Sequence, residues 1–300
     1  MQFDRNIVKD NFYEYVMEKE LEPYFEFREK NEKLISPEGI SYYEFGSGPV
    51  LLCLPGSTGK AMTFYQYFEG LSAHYRIIAI DYPVVDRIEG LTLKLMQFLR
   101  TKDIDAFYIF ANSFGTVVAQ SLLWKLPVQC KGVVLTHAVT KTSDVPKRTV
   151  KTHQKGLNSF IKSIRFLNFS RFQSKFAKQL RKNINIYQDD TSKRLFWEGL
   201  FIEMLYDTTK EEMMSNYGFM KDFWQHFAFD KAQFQSVTAR VILMEAYTDH
   251  EANMPEKYAI RSLLPNVEYV VLPGEPHLSL VKNKAKIQES LLQLLKETTI

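Results

Sequence analysis

Short apolar runs alternate with amphipathic stretches along most of this chain, and the two periodicities assign its elements. "VLLCLPG" (50–56), "YRIIAID" (75–81), "AFYIFAN" (106–112) and "GVVLTHA" (132–138) are brief and aliphatic or aromatic, as buried strands are. Between them, "AMTFYQYFEGLS", "LTLKLMQFLRT" and residues 114–126 repeat apolar positions at helical spacing, the last through Val117, Val118, Leu122, Leu123 and Leu126. Ahead of this run, "KLIS", a "PEG" turn and "ISYYEFG" predict a hairpin over 34–46. The alternation stops near residue 140 and resumes with "ARVILMEA", "VEYVVLP" and the closing helix "AKIQESLLQLLKE".

Strands alternating with helices predict an α/β fold with a doubly wound, mostly parallel sheet. Its core spans 34–140 and 236–300. Residues 141–235 hold helical stretches such as "GLNSFIKSIRFL" and "LFWEGLFIEML" but no strong strand pattern, and read as a helical cap inserted between two core strands. Residues 1–33 form an N-terminal helical extension, with Phe12, Tyr15, Val16 and Leu21 as its apolar face.

Composition narrows the class. A chain of 300 residues that is 45% hydrophobic buries a full core, and a net charge of +3 gives no argument for nucleic acid. The first twenty residues scatter their charges and lack the apolar run of a signal peptide, and no segment reaches a membrane span, so a cytoplasmic protein is expected. Cys53 and Cys130 lie in or beside strands, where a small buried thiol is the default. No His/Cys/Asp cluster has metal-ligand spacing, so no metal or cofactor is expected.

In a parallel sheet, ligands collect at the carboxyl ends of the strands. The polar residues just past those ends are Gly56-Ser57-Thr58-Gly59, then Ser113, then Thr248 to Glu251, then His277. Ser, Asp and His thus fall in chain order at three separate strand ends. "ANSFGT" interrupts two apolar runs with a strand-to-helix turn that pushes Ser113 to its tip, and Gly115 lets the helix pack closely. "LPGSTGKA" raises a phosphate loop, but Leu54 stands where its first Gly belongs and Ala61 where its hydroxyl belongs.

Ala111-Asn112-Ser113-Phe114-Gly115, followed by an acid and a His, resembles the nucleophile elbow of the α/β-hydrolase superfamily, with Ala for the first Gly. The likeness covers most of 35–138 and 236–300, and "YRIIAIDYPVV" and "PNVEYVVLPGEPH" also look like its maspardin-like branch. It implies Ser113 as nucleophile, His277 as base and Asp249 as the acid that orients the imidazole, with Glu245 and Glu251 as alternative acids. It also implies an oxyanion hole from the backbone N–H groups of Phe114 and Ser57. The chain departs from the family pattern at Pro55, where His is frequent, and at Ala246, where Gly is frequent. Asp81 reads as a structural residue bonding nearby backbone, and His137 as lining the pocket.

The expected activity is hydrolysis of a carboxylic ester or thioester of a hydrophobic acyl group. A non-catalytic binding protein on the same scaffold, or an acyltransferase or lyase using the same triad, are the alternatives. Residues 139–184 hold twelve Lys or Arg and one acid, Asp144, a surface for an acidic carrier protein or another anionic surface. Residues 185–214 are acid-richer, through Asp189, Asp190, Glu198, Glu203, Asp207, Glu211 and Glu212, so partial pairing between the two stretches is expected. Of the cap aromatics Phe196, Trp197, Phe201, Tyr217, Phe219, Phe223 and Trp224, most should pack on the core and a few should wall an acyl pocket.

Overall fold

A computed structural model describes residues 18–183, 190–246, 254–272 and 279–296. Its centre is an eight-stranded sheet in the order β1-β2-β4-β3-β5-β6-β7-β8. The strands are β1 (Leu34–Ile35), β2 (Ser41–Phe45), β3 (Val50–Leu54), β4 (Arg76–Asp81), β5 (Phe107–Asn112), β6 (Cys130–Thr136), β7 (Arg240–Ala246) and β8 (Val267–Leu272). From β4 to β8 every pairing is parallel; β1 and β2 form the expected hairpin, and β2 joins β4 antiparallel. The continuous apolar runs are explained by position: β3 and β5 are buried along their whole length, while β8, at the sheet edge, exposes Tyr269 and Val271.

Alternate residues of each inner strand feed two cores on opposite faces. Leu52, Leu54, Ile109, Val133, Leu135, Val241 and Leu243 meet α3 (Ile88–Thr101) and α4 (Gly115–Lys125). Leu51, Cys53, Tyr108, Phe110, Val134, Ile242 and Met244 meet α2 (Tyr65–Ser72) and the closing helix α11 (Lys284–Lys296). Two further helices, α9 (Met254–Leu263) and the short α10 (Ser279–Lys282), flank β8 in sequence. Both cysteines are free and buried, and burial pushes the Cys130 thiol up to about 12.

The inserted region is helical throughout its described part: α5 (Lys147–Phe166), α6 (Phe169–Asn183), α7 (Thr191–Tyr206) and α8 (Lys210–His226). Ile164, Phe172, Ala177, Ile202, Leu205 and Met213 give it a small core of its own. A capping box at Thr209 and Glu212 starts α8, whose Phe219, Phe223 and Trp224 enter the main core. The N-terminal extension contributes α1 (Glu18–Lys30), which buries Leu21, Tyr24 and Phe25; Phe12, Tyr15 and Val16 lie outside the described residues. Tyr24 donates to Glu203 of α7 at 2.6 Å and Arg28 pairs with the same carboxylate, so the extension grips the cap as well as the sheet.

Glu198 pairs with Arg194, Glu203 with Arg28, and Asp207 and Glu212 with Lys60. The Lys and Arg side chains of α5 and α6 face solvent.

Candidate functional site

Ser113 sits where β5 ends and α4 begins, in the left-handed region at φ 53°. For a residue with a Cβ this backbone costs on the order of 1–3 kcal/mol and persists only where its surroundings fix it. They do so here from both sides. Ser113 N–H donates to Thr136 O at 2.9 Å, and its carbonyl accepts from Thr116 N–H at 2.9 Å and Thr116 Oγ1 at 2.6 Å. A Cβ on Gly115 would collide with the carbonyl oxygens of Leu54 and Pro55, so α4 seats directly on the end of β3. Asn112 turns its Oδ1 to the Thr136 hydroxyl at 2.9 Å, which accounts for the polar residue beside the serine: it ties β5 to β6 beneath the turn.

The loop after β3 presses against this turn. A Cβ on Gly56 would stand 3.0 Å from Ser113 Cβ, so glycine here serves the elbow's own close approach. Tyr82, buried at the end of β4, holds the loop at both ends: its hydroxyl donates to Pro55 O at 2.6 Å and its N–H to Gly59 O at 2.8 Å. Burial keeps that phenol well above its usual pKa, so it remains a donor. Gly59, at φ 64°, lies under the Asn216 side chain of α8, where a Cβ would strike the carboxamide. Asp81 accepts from Ala61 N–H at 2.8 Å, the structural role expected of it.

These elements surround a cavity of about 350 Å³ between sheet and cap. Gly56, Ser57, Thr58, Asn112 and Ser113 line its floor. The walls are mostly apolar and come chiefly from the cap, through Phe176 and Leu180 of α6, Phe201, Met204 and Leu205 of α7, and Met213 and Tyr217 of α8, with Leu280 and Val281 of α10 beside them. Phe201 and Tyr217 thus face the cavity, while Phe196, Trp197, Phe219, Phe223 and Trp224 are buried in the two main cores. Neither Phe114 N–H nor Ser57 N–H makes a hydrogen bond within the described residues. The Phe114 ring packs on Phe219 and Phe223 of α8 at centroid distances of 5.7 and 5.6 Å.

Asp249, Glu251 and His277 lie outside the described residues. Glu245 is buried in β7 and faces Arg261 at 3.6 Å, with Tyr269 drawn to the same carboxylate. His137 is fully buried and, contrary to expectation, does not line the cavity; its backbone N–H donates to Met244 O at 3.0 Å. His153 stacks on Trp224 at 4.0 Å and bonds Glu256 at 2.8 Å.

One group around the cavity was missed from the sequence. Lys60, only 6% exposed, lies 3.7 Å from Asp81, 3.4 Å from Asp207 and 3.4 Å from Glu212, and Lys33 reaches Asp81 at 2.9 Å and Asp207 at 3.3 Å. This cluster clamps the loop after β3 to the α7–α8 corner, and it removes Lys60 from any phosphate-binding role. Burial works against the Asp207 charge, but Lys33 and Lys60 outweigh it and keep the carboxyl below its ordinary range. Among the described residues no group of three or more His, Cys, Asp or Glu side chains could hold a metal ion, and no helix is long and apolar enough to cross a membrane.

No family model matches the chain. Solved structures do. A hydrolase from Pseudomonas aeruginosa PA01 superposes with a TM-score of 0.69 at 15% identity, covering 88% of this chain and 98% of its own. The enol-lactonase from Burkholderia xenovorans LB400 gives 0.69 at 13%, covering 86% and 96%. A thermophilic esterase from Thermogutta terrifontis gives 0.68 at 12%, covering 90% and 99%. At such identities the likeness speaks to architecture. With the sheet order, the left-handed serine between β5 and α4 and the inserted cap, it shows that this chain has the α/β-hydrolase fold.

Proposed function

We propose that the protein is a serine hydrolase that cleaves a carboxylic ester or thioester of a hydrophobic acyl group through an acyl-enzyme on Ser113. The observation that carries this reading is a strained serine at the floor of a cavity walled by Phe176, Leu180, Phe201 and Leu205. Strain of that kind serves to present a side chain. Ser113 Oγ would attack the carbonyl carbon as His277 takes its proton, and Asp249 would orient the imidazole. The oxyanion would accept from Phe114 N–H and Ser57 N–H, two donors with no partner among the described residues. Collapse would expel the alcohol or thiol, which leaves with the histidine's proton; water would then release the acid by the same steps. A cavity of about 350 Å³ is at the small end of ligand sites and suits an acyl chain of moderate length.

The test is labelling by a fluorophosphonate probe, with turnover measured over p-nitrophenyl esters and acyl thioesters of increasing chain length. Labelling should be lost in Ser113→Ala and turnover in His277→Ala. Labelling that survives Ser113→Ala would reject the assignment. Absence of both labelling and turnover in the native protein would favour a non-catalytic binding protein, and acyl products formed with added alcohols would mark a transferase.

A further inference from the structure

Residues 147–182 carry eleven Lys or Arg and no Asp or Glu. On α5, Arg148, Lys151, Lys155 and Lys162 recur at helical spacing on one exposed stripe that runs out on Phe166. On α6, Arg171, Lys175, Lys178 and Lys182 repeat the pattern. Among the described residues none of these eight has a carboxylate partner, while Glu203 pairs with Arg28, Asp207 with Lys33 and Lys60, Glu212 with Lys60, and Glu198 with Arg194. At the corner between the two helices Phe166 is 78% exposed and Leu167 is 41% exposed, flanked by Lys162, Arg165 and Arg171.

Scattered exposed apolar residues need no explanation, but a Phe-Leu pair projecting from a field of unpaired cations does. That combination suits an anionic bilayer: the cations meet the headgroups and the apolar pair enters the boundary with the acyl chains. An acidic protein would use the charges and leave the apolar corner unexplained. We propose that the α5–α6 face of the cap docks on an anionic lipid surface and that the substrate is an acyl ester drawn from that lipid phase. The second half rests on the serine-hydrolase reading; the first does not. The two halves meet in α6, whose Lys175 and Lys178 face outward while Phe176 and Leu180 wall the cavity. A docked α6 would put that wall about one helix diameter, roughly 10–12 Å, from the headgroups.

Vesicle flotation tests the docking. The protein should float with phosphatidylcholine vesicles containing about one-third phosphatidylglycerol and stay behind with phosphatidylcholine alone, and flotation should be lost as NaCl rises from about 0.05 to about 0.5 M. The substitutions Lys151→Glu, Lys155→Glu, Lys175→Glu and Lys178→Glu together should weaken partitioning by at least about 10²-fold. A parallel set to Gln, checked for folding by circular dichroism, should give a smaller loss in the same direction. Phe166→Ser with Leu167→Ser should cost roughly 10–100-fold while leaving the salt dependence in place. Ser113→Ala should float like the native chain.

Equal flotation on neutral vesicles, no flotation at low salt, or unaltered flotation of the charge variants would overturn the proposal. So would retention on an immobilised acidic protein without flotation, which assigns the face to a protein partner. The substrate half predicts that a long-chain ester is cleaved about ten times faster or more in anionic vesicles than in neutral ones; equal rates overturn it. Soluble-ester turnover without flotation rejects docking and leaves the hydrolase reading standing. Flotation without turnover of any ester does the reverse.

Discussion

The two halves of the site are built by different means. On the sheet side, backbone meets backbone: Gly115 lies against the carbonyls of Leu54 and Pro55, Gly56 against the elbow, and Ser113 is locked by Thr136 and Thr116. On the cap side, side chains do the work, through the Lys33–Lys60–Asp207–Glu212 cluster, the Tyr24–Arg28–Glu203 contact and the aromatic walls. A backbone contact cannot adapt to an added atom, whereas a side-chain contact can rotate, shorten or be replaced. The sheet half is therefore expected to be intolerant and fixed in shape, and the cap half tolerant and open to variation in substrate.

The sharpest break is chemical: Ser113→Ala should lower turnover on the order of 10⁶-fold, read as kcat on the best p-nitrophenyl ester, with the fold intact. Next comes a matched pair of glycines. Gly115→Ala should destabilise by about 3–5 kcal/mol in urea unfolding, because the new Cβ meets main-chain oxygens on two sides. Gly218→Ala in α8, with nothing within 4 Å of the new Cβ, should instead stabilise by about 0.5–1 kcal/mol. If both changed stability in the same direction, the contrast between the halves would fail. Lys60→Met should cost about 2 kcal/mol and raise KM more than it lowers kcat, since it frees the α7–α8 corner rather than the serine.

The smallest expected effect is a pH dependence. Asp207 has its folded pKa depressed, so the stability it contributes is present above its unfolded value and is lost as the pH falls through the folded one. Melting temperature measured downward from about pH 5 should thus fall more steeply for the native chain than for Asp207→Asn, and the two curves should converge in acid.

Much of the sheet half was legible because local pattern decides it. The apolar runs of β3, β5 and β6, the A-x-S-x-G turn and the structural role of Asp81 follow from residues that act on near neighbours or on strand ends. The cap half was not, because its contacts join distant parts of the chain. Nothing in "STGKAM" marks Lys60 for Glu212, and nothing in "PYFEFREK" marks Arg28 for Glu203. Pairing of β2 with β4 was hidden for the same reason: an antiparallel edge strand carries no mark of its partner.

The wedge between Phe114 and α8 sets how this scaffold should be re-engineered. A chimera that exchanges the whole insertion for a foreign one would remove Phe219 and Phe223 and loosen the ring of Phe114, the residue proposed to bind the oxyanion. A graft with its downstream junction before Lys210 would keep α8 native and confine new recognition to the two helices that form the outer walls. The final helix of the insertion is better regarded as a fixed pillar of the core than as an interchangeable part.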